Sequence, residues 1–124
     1  MGRESAPPSR RKIVLIVEDD PDSQIQLAEL LTDDGFRVLV ASNGQEALTV
    51  LEQVRPHLIL LDLMLPIVSG WEVMAALAAD PDLAGIPVVV LSAYGAQMPR
   101  GVACVLSKPI SLDQVLAAIR NHCA

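Results

Sequence analysis

Short, continuously apolar runs alternate with segments of helical spacing along most of this chain. Ile13–Val17, Val38–Val40, Leu58–Leu61, Val88–Leu91 and Val102–Leu106 are aliphatic and rich in β-branched residues, the pattern of strands buried on both faces. Between them, Pro21–Asp34 places Ile25, Leu27, Ala28, Leu30 and Leu31 at helical spacing, and Asn43–Val54 does the same with Ala47, Leu48, Val50 and Leu51. Gly70–Ala79 and Leu112–His122 complete the helical set. The punctuation agrees: Asp20 then Pro21 is a cap followed by a first-turn proline, Gly35 closes that helix, and Ser111 with Gln114 forms a capping-box pattern. Strands alternating with helices predict an α/β domain, a doubly wound parallel sheet with right-handed crossovers. One interval breaks the rhythm. Ala93–Gly101 contains Gly95, Pro99 and Gly101, which leaves room for a single helical turn, so the fourth helix is expected to be shortened or missing.

The chain has 124 residues, a length that suits one core, expected over 12–124 behind a flexible arm at 1–11. Hydrophobic residues make up 52% and aromatics only 2%, so the interior must be built from Val, Leu, Ile and Ala. No apolar stretch reaches bilayer length, because Asp62, Pro66, Ser69 and Gly70 interrupt the greasiest region. The net charge of −6 hides an asymmetry: residues 1–12 carry +3 and the remainder −9. An acidic body argues against direct nucleic-acid binding. The amino-terminal segment lacks the apolar middle of a signal peptide, which makes a cytoplasmic location the expectation. Cys104 and Cys123 stand 19 residues apart with no paired Cys-x-x-Cys and are read as reduced structural thiols.

Ligands of open parallel sheets bind at the carboxyl ends of the strands. Here those ends carry Glu18, Asp19 and Asp20 after the first strand, Asp62 after the third, Ser92 after the fourth, and Ser107 and Lys108 after the fifth. Carboxylates converging at one edge repel unless a cation lies between them, and a hard oxygen donor set suits Mg2+. A carboxylate can also attack a phosphoryl group to give an acyl phosphate if the transferring oxygens are neutralised. Asp62, at the end of the central run, is the best placed nucleophile, with Ser92 and Lys108 available to the phosphoryl oxygens.

Ile13–Asp20, Asp62-Leu-Met-Leu-Pro66 with Gly70 after it, Val88–Ala93 and Lys108-Pro109 together resemble the receiver domain of two-component response regulators. The resemblance spans residues 12–122. It implies a flavodoxin-like five-stranded sheet of order 2-1-3-4-5. It also implies that Glu18 and Asp19 bind Mg2+ with Asp62 and the main-chain carbonyl of Met64. Asp62 would be the phosphoacceptor, Ser92 the switch hydroxyl and Lys108 the phosphate-pairing lysine, followed by a proline whose peptide bond is usually cis in the family. The implied donor is a sensor histidine kinase or histidine phosphotransfer protein, and the implied output is binding to a downstream protein. The chain would be a stand-alone or excised receiver, and no enzyme beyond its own phosphorylation and dephosphorylation.

Two features depart from the family pattern. The stretch from Ser92 to Lys108 is short, and Val105 stands where receivers usually carry an aromatic residue. They keep open a pseudo-receiver, an interaction domain that no longer takes phosphate. An aspartyl-nucleophile phosphatase is a weaker rival, since the position two residues after Asp62, where such enzymes carry a second Asp, is Met64. Asp20 and Asp22 are read as helix-start acids. Phe36, Trp71 and Met74 are read as packing residues. Tyr94 and the Met64 side chain could equally cover loop backbone or shield a phosphoryl group, and His57 and His122 as neither phosphodonors nor ligands. The Arg10-Arg11-Lys12 cluster is read as a solvated arm.

Overall fold

A computed structural model describes residues 11–65, 67–92 and 102–122. Five parallel strands, β1 (Ile13–Val17), β2 (Arg37–Ala41), β3 (Leu58–Asp62), β4 (Val88–Ser92) and β5 (Cys104–Ser107), form one sheet in the order 2-1-3-4-5. Four helices are described: α1 (Pro21–Asp33), α2 (Gly44–Gln53), α3 (Gly70–Ala79) and α4 (Leu112–His122). The arm at 1–10, the Ala93–Gly101 interval with Tyr94, and Cys123 lie outside the described residues, as does Pro66.

The apolar runs are continuous because each strand alternates between two cores. Leu15, Val17, Ile59, Leu61, Val88 and Val90 face one layer, where Ala47, Leu51, Val73 and Leu77 of α2 and α3 cover them. Val14, Ile16, Leu58, Leu60, Val89 and Leu91 face the other, covered by Leu27 and Leu31 of α1 and by Val115, Ala118 and Ile119 of α4. A two-residue period with both faces dry leaves no polar position in the central strands before their carboxyl ends, where Asp62 and Ser92 stand.

Helix ends follow their sequence cues. The Asp20 carboxylate accepts the Ser23 N–H at 2.9 Å, and Pro21 opens α1. Asn43 caps α2 by accepting the Glu46 N–H at 2.8 Å. The N-cap of α3 is a full capping box between Ser69 and Glu72, although only the Ser111 pattern had been expected. Four expectations shift. β5 starts at Cys104, not Val102, because β4 begins at Val88: Ala103 already spends its N–H on the Val88 carbonyl, and the first paired position is Val89 with Cys104. β2 gains a residue at each end, and β3 and β4 extend to include Asp62 and Ser92. Trp71, read as packing, lies in the first turn of α3 and is 44% exposed. His57, which offered no partner in the sequence, accepts the Ile13 N–H on Nδ1 at 2.9 Å while its own N–H bonds the Ile13 carbonyl. Phe36 and Met74 do pack, against the α1/α4 and α2/α3 layers respectively.

The loop from β3 to α3 holds Ile67 at φ 67°, with the side chain 78% exposed. A β-branched residue in the left-handed region costs about 1–2 kcal/mol, more than the entropic penalty of about 0.5–1 kcal/mol that glycine would bring. Ile67→Gly is therefore expected to stabilise the fold by up to about 1 kcal/mol, read as a higher urea midpoint at unchanged slope. A lower midpoint would mean that the exposed side chain contributes more than the strain costs.

Candidate functional site

Parallel register brings the polar strand ends together. Val17 pairs with Leu61, so Glu18 and Asp62 emerge side by side at the same height. Asp62 pairs with Leu91 and Ser92 with Ser107, so the last residue of β4 rises one step above Asp62 and the Lys108 N–H bonds the Ser92 carbonyl at 2.8 Å. Asp62 ends the central strand only 1% exposed. Its Oδ2 accepts from Lys108 Nζ at 2.7 Å and its Oδ1 from the Met64 N–H at 2.9 Å. The second bond is an Asx-type turn that starts the β3–α3 loop. The Lys108–Pro109 peptide bond is cis.

Gly70 ties that loop to α3. Its N–H bonds the Leu63 carbonyl at 3.2 Å, and a Cβ there would lie 2.6 Å from both the Asp62 carbonyl oxygen and Leu63 Cα. Gly44, the first residue of α2, meets the same loop from the other side, where a Cβ would come within 2.0 Å of the Val68 carbonyl oxygen. The strand-end carboxylate is thus set by backbone packed against backbone.

One carboxylate oxygen from each of Glu18, Asp19 and Asp62 lies within 4.8 Å of the others. Glu18 is buried and Asp19 exposed, so the cluster has a closed side and an open one. Burial, with the neighbouring Asp62 charge, pushes the Glu18 carboxyl above its ordinary range, against the opposing pull of the Asp20 N–H on Oε2 and of the Lys108 charge. At Lys108, burial alone would lower the ammonium, but the hydrogen bond and charge of Asp62, with Glu18 and Asp19 beyond it, outweigh burial and raise it. The side chains of the site therefore set one ammonium against more negative charge than it can balance. An all-oxygen donor set with excess negative charge fits a hard divalent cation such as Mg2+.

Every candidate side chain falls at this edge: Glu18, Asp19, Asp62, Ser92 and Lys108 on or just past their strands, and Met64 in the loop after β3 with its side chain 71% exposed. Two contributors escaped the sequence reading. Gln24, inside α1, donates to the Glu18 carbonyl and to Ser42 Oγ, and a helical Gln carries no signal of such a role. Ser69 was legible, since Ser69 and Glu72 have the spacing of a capping box.

The response regulator receiver domain model matches residues 14–120, and this chain belongs to that family. It is 34% identical over 117 residues to the polar-differentiation response regulator DivK of Brucella anthropi, covering 90% of this chain and 95% of that protein. It is 42% identical over 116 residues to the DNA-binding response regulator MtrA of Mycolicibacterium smegmatis, covering 89% of this chain but spanning only 50% of that relative's length. Among solved structures, the receiver domain of a sensor histidine kinase from Pseudomonas aeruginosa PAO1, determined with a magnesium ion coordinated in its active-site cleft, superposes with a TM-score of 0.83 at 25% identity, covering 91% of this chain and 98% of that one. Among the described residues no helix is long and apolar enough to cross a membrane.

Proposed function

We propose that this receiver accepts a phosphoryl group on Asp62 from a phosphohistidine, with Mg2+ bound, and that the acyl phosphate switches binding to a downstream protein. The observation that carries this reading is the Asp62 carboxylate at the end of the central strand, between the Glu18–Asp19 pair and the Lys108 ammonium. An Asp62 oxygen attacks phosphorus, the P–N bond of the phosphohistidine breaks, and its electron pair stays on the leaving imidazole nitrogen, which takes up a proton. Lys108, now on Asp62, is within reach of a phosphoryl oxygen after transfer, and the Ser92 hydroxyl can donate to another. Glu18, Asp19, Asp62 and the Met64 carbonyl would hold the cation, which supplies positive charge to the transferring oxygens when bound.

The donor is a sensor histidine kinase or a histidine phosphotransfer protein. A hollow of about 250 Å3 between α1 and the segment after β5, lined by Ser23, Leu27, Lys108 and Ile110 among others, opens beside the site and offers such a donor a foothold. The domain's catalysis is confined to its own phosphorylation and dephosphorylation, and the acyl phosphate acts by shifting a conformational equilibrium. A cytoplasmic setting follows from a kinase partner. A second Asp, which a phosphatase would need two residues after the nucleophile, is absent from the sequence at Met64.

The test is incubation with acetyl phosphate and Mg2+ followed by intact mass. A gain of one phosphoryl group is expected, and its absence would leave the interaction-domain reading. Asp19→Asn removes one carboxylate from the cluster, so it is expected to need about tenfold or more Mg2+ for the same rate of labelling. An unchanged Mg2+ requirement would make Asp19 a helix-start acid and nothing more.

A further inference from the structure

The polar contacts of α1 extend past its cap. The Gln24 carboxamide, midway along the first turns of the helix, donates from Nε2 both to the main-chain carbonyl of Glu18 and to Ser42 Oγ, the latter at 2.9 Å. Ser42 follows β2 directly, and its N–H is taken by Glu46 Oε1 at 2.7 Å in the first turn of α2. The Glu18 N–H meanwhile bonds the Ala41 carbonyl at 3.0 Å. One amide therefore fastens the ends of β1 and β2 and the starts of α1 and α2 to one another.

The carbonyl it grips belongs to the Glu18–Asp19 peptide. Holding that planar unit fixes ψ of Glu18 and φ of Asp19 together, and with them the direction in which the Asp19 side chain leaves the backbone. The Glu18 carboxylate is oriented separately, by the Asp20 N–H on Oε2. Glu18 is walled in by its burial, whereas Asp19 is exposed and takes its direction from its backbone and from a side-chain contact with Glu18. One oxygen from each of these two carboxylates and from Asp62 lies within 4.8 Å of the others, and a main chain that cannot rotate between Glu18 and Asp19 helps to keep them so.

We infer that Gln24 is a positioning residue for the cation site: by clamping the Glu18 carbonyl to Ser42 it holds the Glu18–Asp19 pair in a ligating arrangement and sets Mg2+ affinity without touching the ion. The inference rests on the reading of the acid cluster as a Mg2+ site. Groups that orient ligands from behind typically change metal affinity by about 10–100-fold when removed, and the lower end applies to a contact made through the main chain.

The experiment is calorimetric Mg2+ titration of the full chain, with no phosphodonor present, for wild type, Gln24→Met and Leu31→Val. Met keeps the length of the side chain and removes both donors. Leu31→Val loosens α1 from its core without touching the clamp and reports on general destabilisation. Support would be a dissociation constant weakened about tenfold in Gln24→Met and unchanged in Leu31→Val, with backbone amide shifts of the metal-free Met variant concentrated at Glu18–Asp20. Equal weakening in both variants, or none in Gln24→Met, would overturn the inference while leaving the Mg2+ site intact. A wild type that binds no Mg2+ would overturn both. If Gln24→Met does not fold, Ser42→Ala, which removes one of the amide's two partners, is expected to weaken binding about threefold, the square root of the full effect, and an unchanged constant there would overturn the inference.

Discussion

Asp62→Asn is expected to give no phosphoryl mass gain under conditions that label the wild type fully. The substitution keeps the shape of the side chain and an acceptor for the Met64 N–H, but the neutral amide lacks the nucleophilic carboxylate oxygen. It also turns an ammonium–carboxylate pair of 2.7 Å into an ammonium facing a weaker, uncharged acceptor or another donor. Loss of labelling must therefore be read beside circular dichroism, which should show the native helix content, because the strand end itself is held by backbone packing. Full labelling of the variant would move the acceptor to Asp19 or Asp20, which stand at the same edge of the sheet and are both exposed.

Gly70→Ala is expected to disrupt the site strongly, although it adds only one methyl group. The added carbon would lie 2.6 Å from the Asp62 carbonyl oxygen and from Leu63 Cα, and both obstacles are main chain, with no rotamer to turn aside. Overpacking a core usually costs about 1–3 kcal/mol, and a clash that only backbone movement can relieve belongs at the upper end, about 3 kcal/mol. The expected readout is a drop in the urea midpoint together with slower labelling, since α3 can retreat only by pulling the loop that positions Asp62. A variant with wild-type stability and wild-type labelling would show that the β3–α3 loop has slack that the geometry denies it.

The sheet was legible because its central strands are dry on both faces, and the polar residues that end those runs are the ones gathered at the candidate site. Asp62 and Glu18 stand out in sequence for the reason that they stand together in space: each is the first charged residue after an apolar run, and the register of β1 with β3 sets the two level. Acid–strand–helix spacing also gave the Asp20 cap. What escaped depends on approach between distant segments. The Gln24 amide reaches Ser42, 18 residues away, and His57 receives the Ile13 N–H from 44 residues away; a Gln in the first turn of a helix and a pre-strand His have no local pattern that announces either. Ile67 reads as an ordinary loop residue until its φ is known, and the start of β5 depended on where its neighbour β4 begins.

The two cores of the sheet are completed at different points along the chain, which orders events during synthesis. The α2/α3 layer draws mainly on residues up to Val90, so it can close once β4 has emerged from the ribosome. The α1 side waits for Val115, Ala118 and Ile119 of the last helix, and Arg120 then bonds Asp34, 86 residues upstream. Until α4 arrives, Leu27 and Leu31 cover only part of a face that includes Val14, Ile16, Leu58 and Leu60, leaving a patch of bare aliphatic sheet on a half-made protein. That patch is where a nascent-chain chaperone would find its grip, and where stalled translation after β4 would leave a species prone to aggregate.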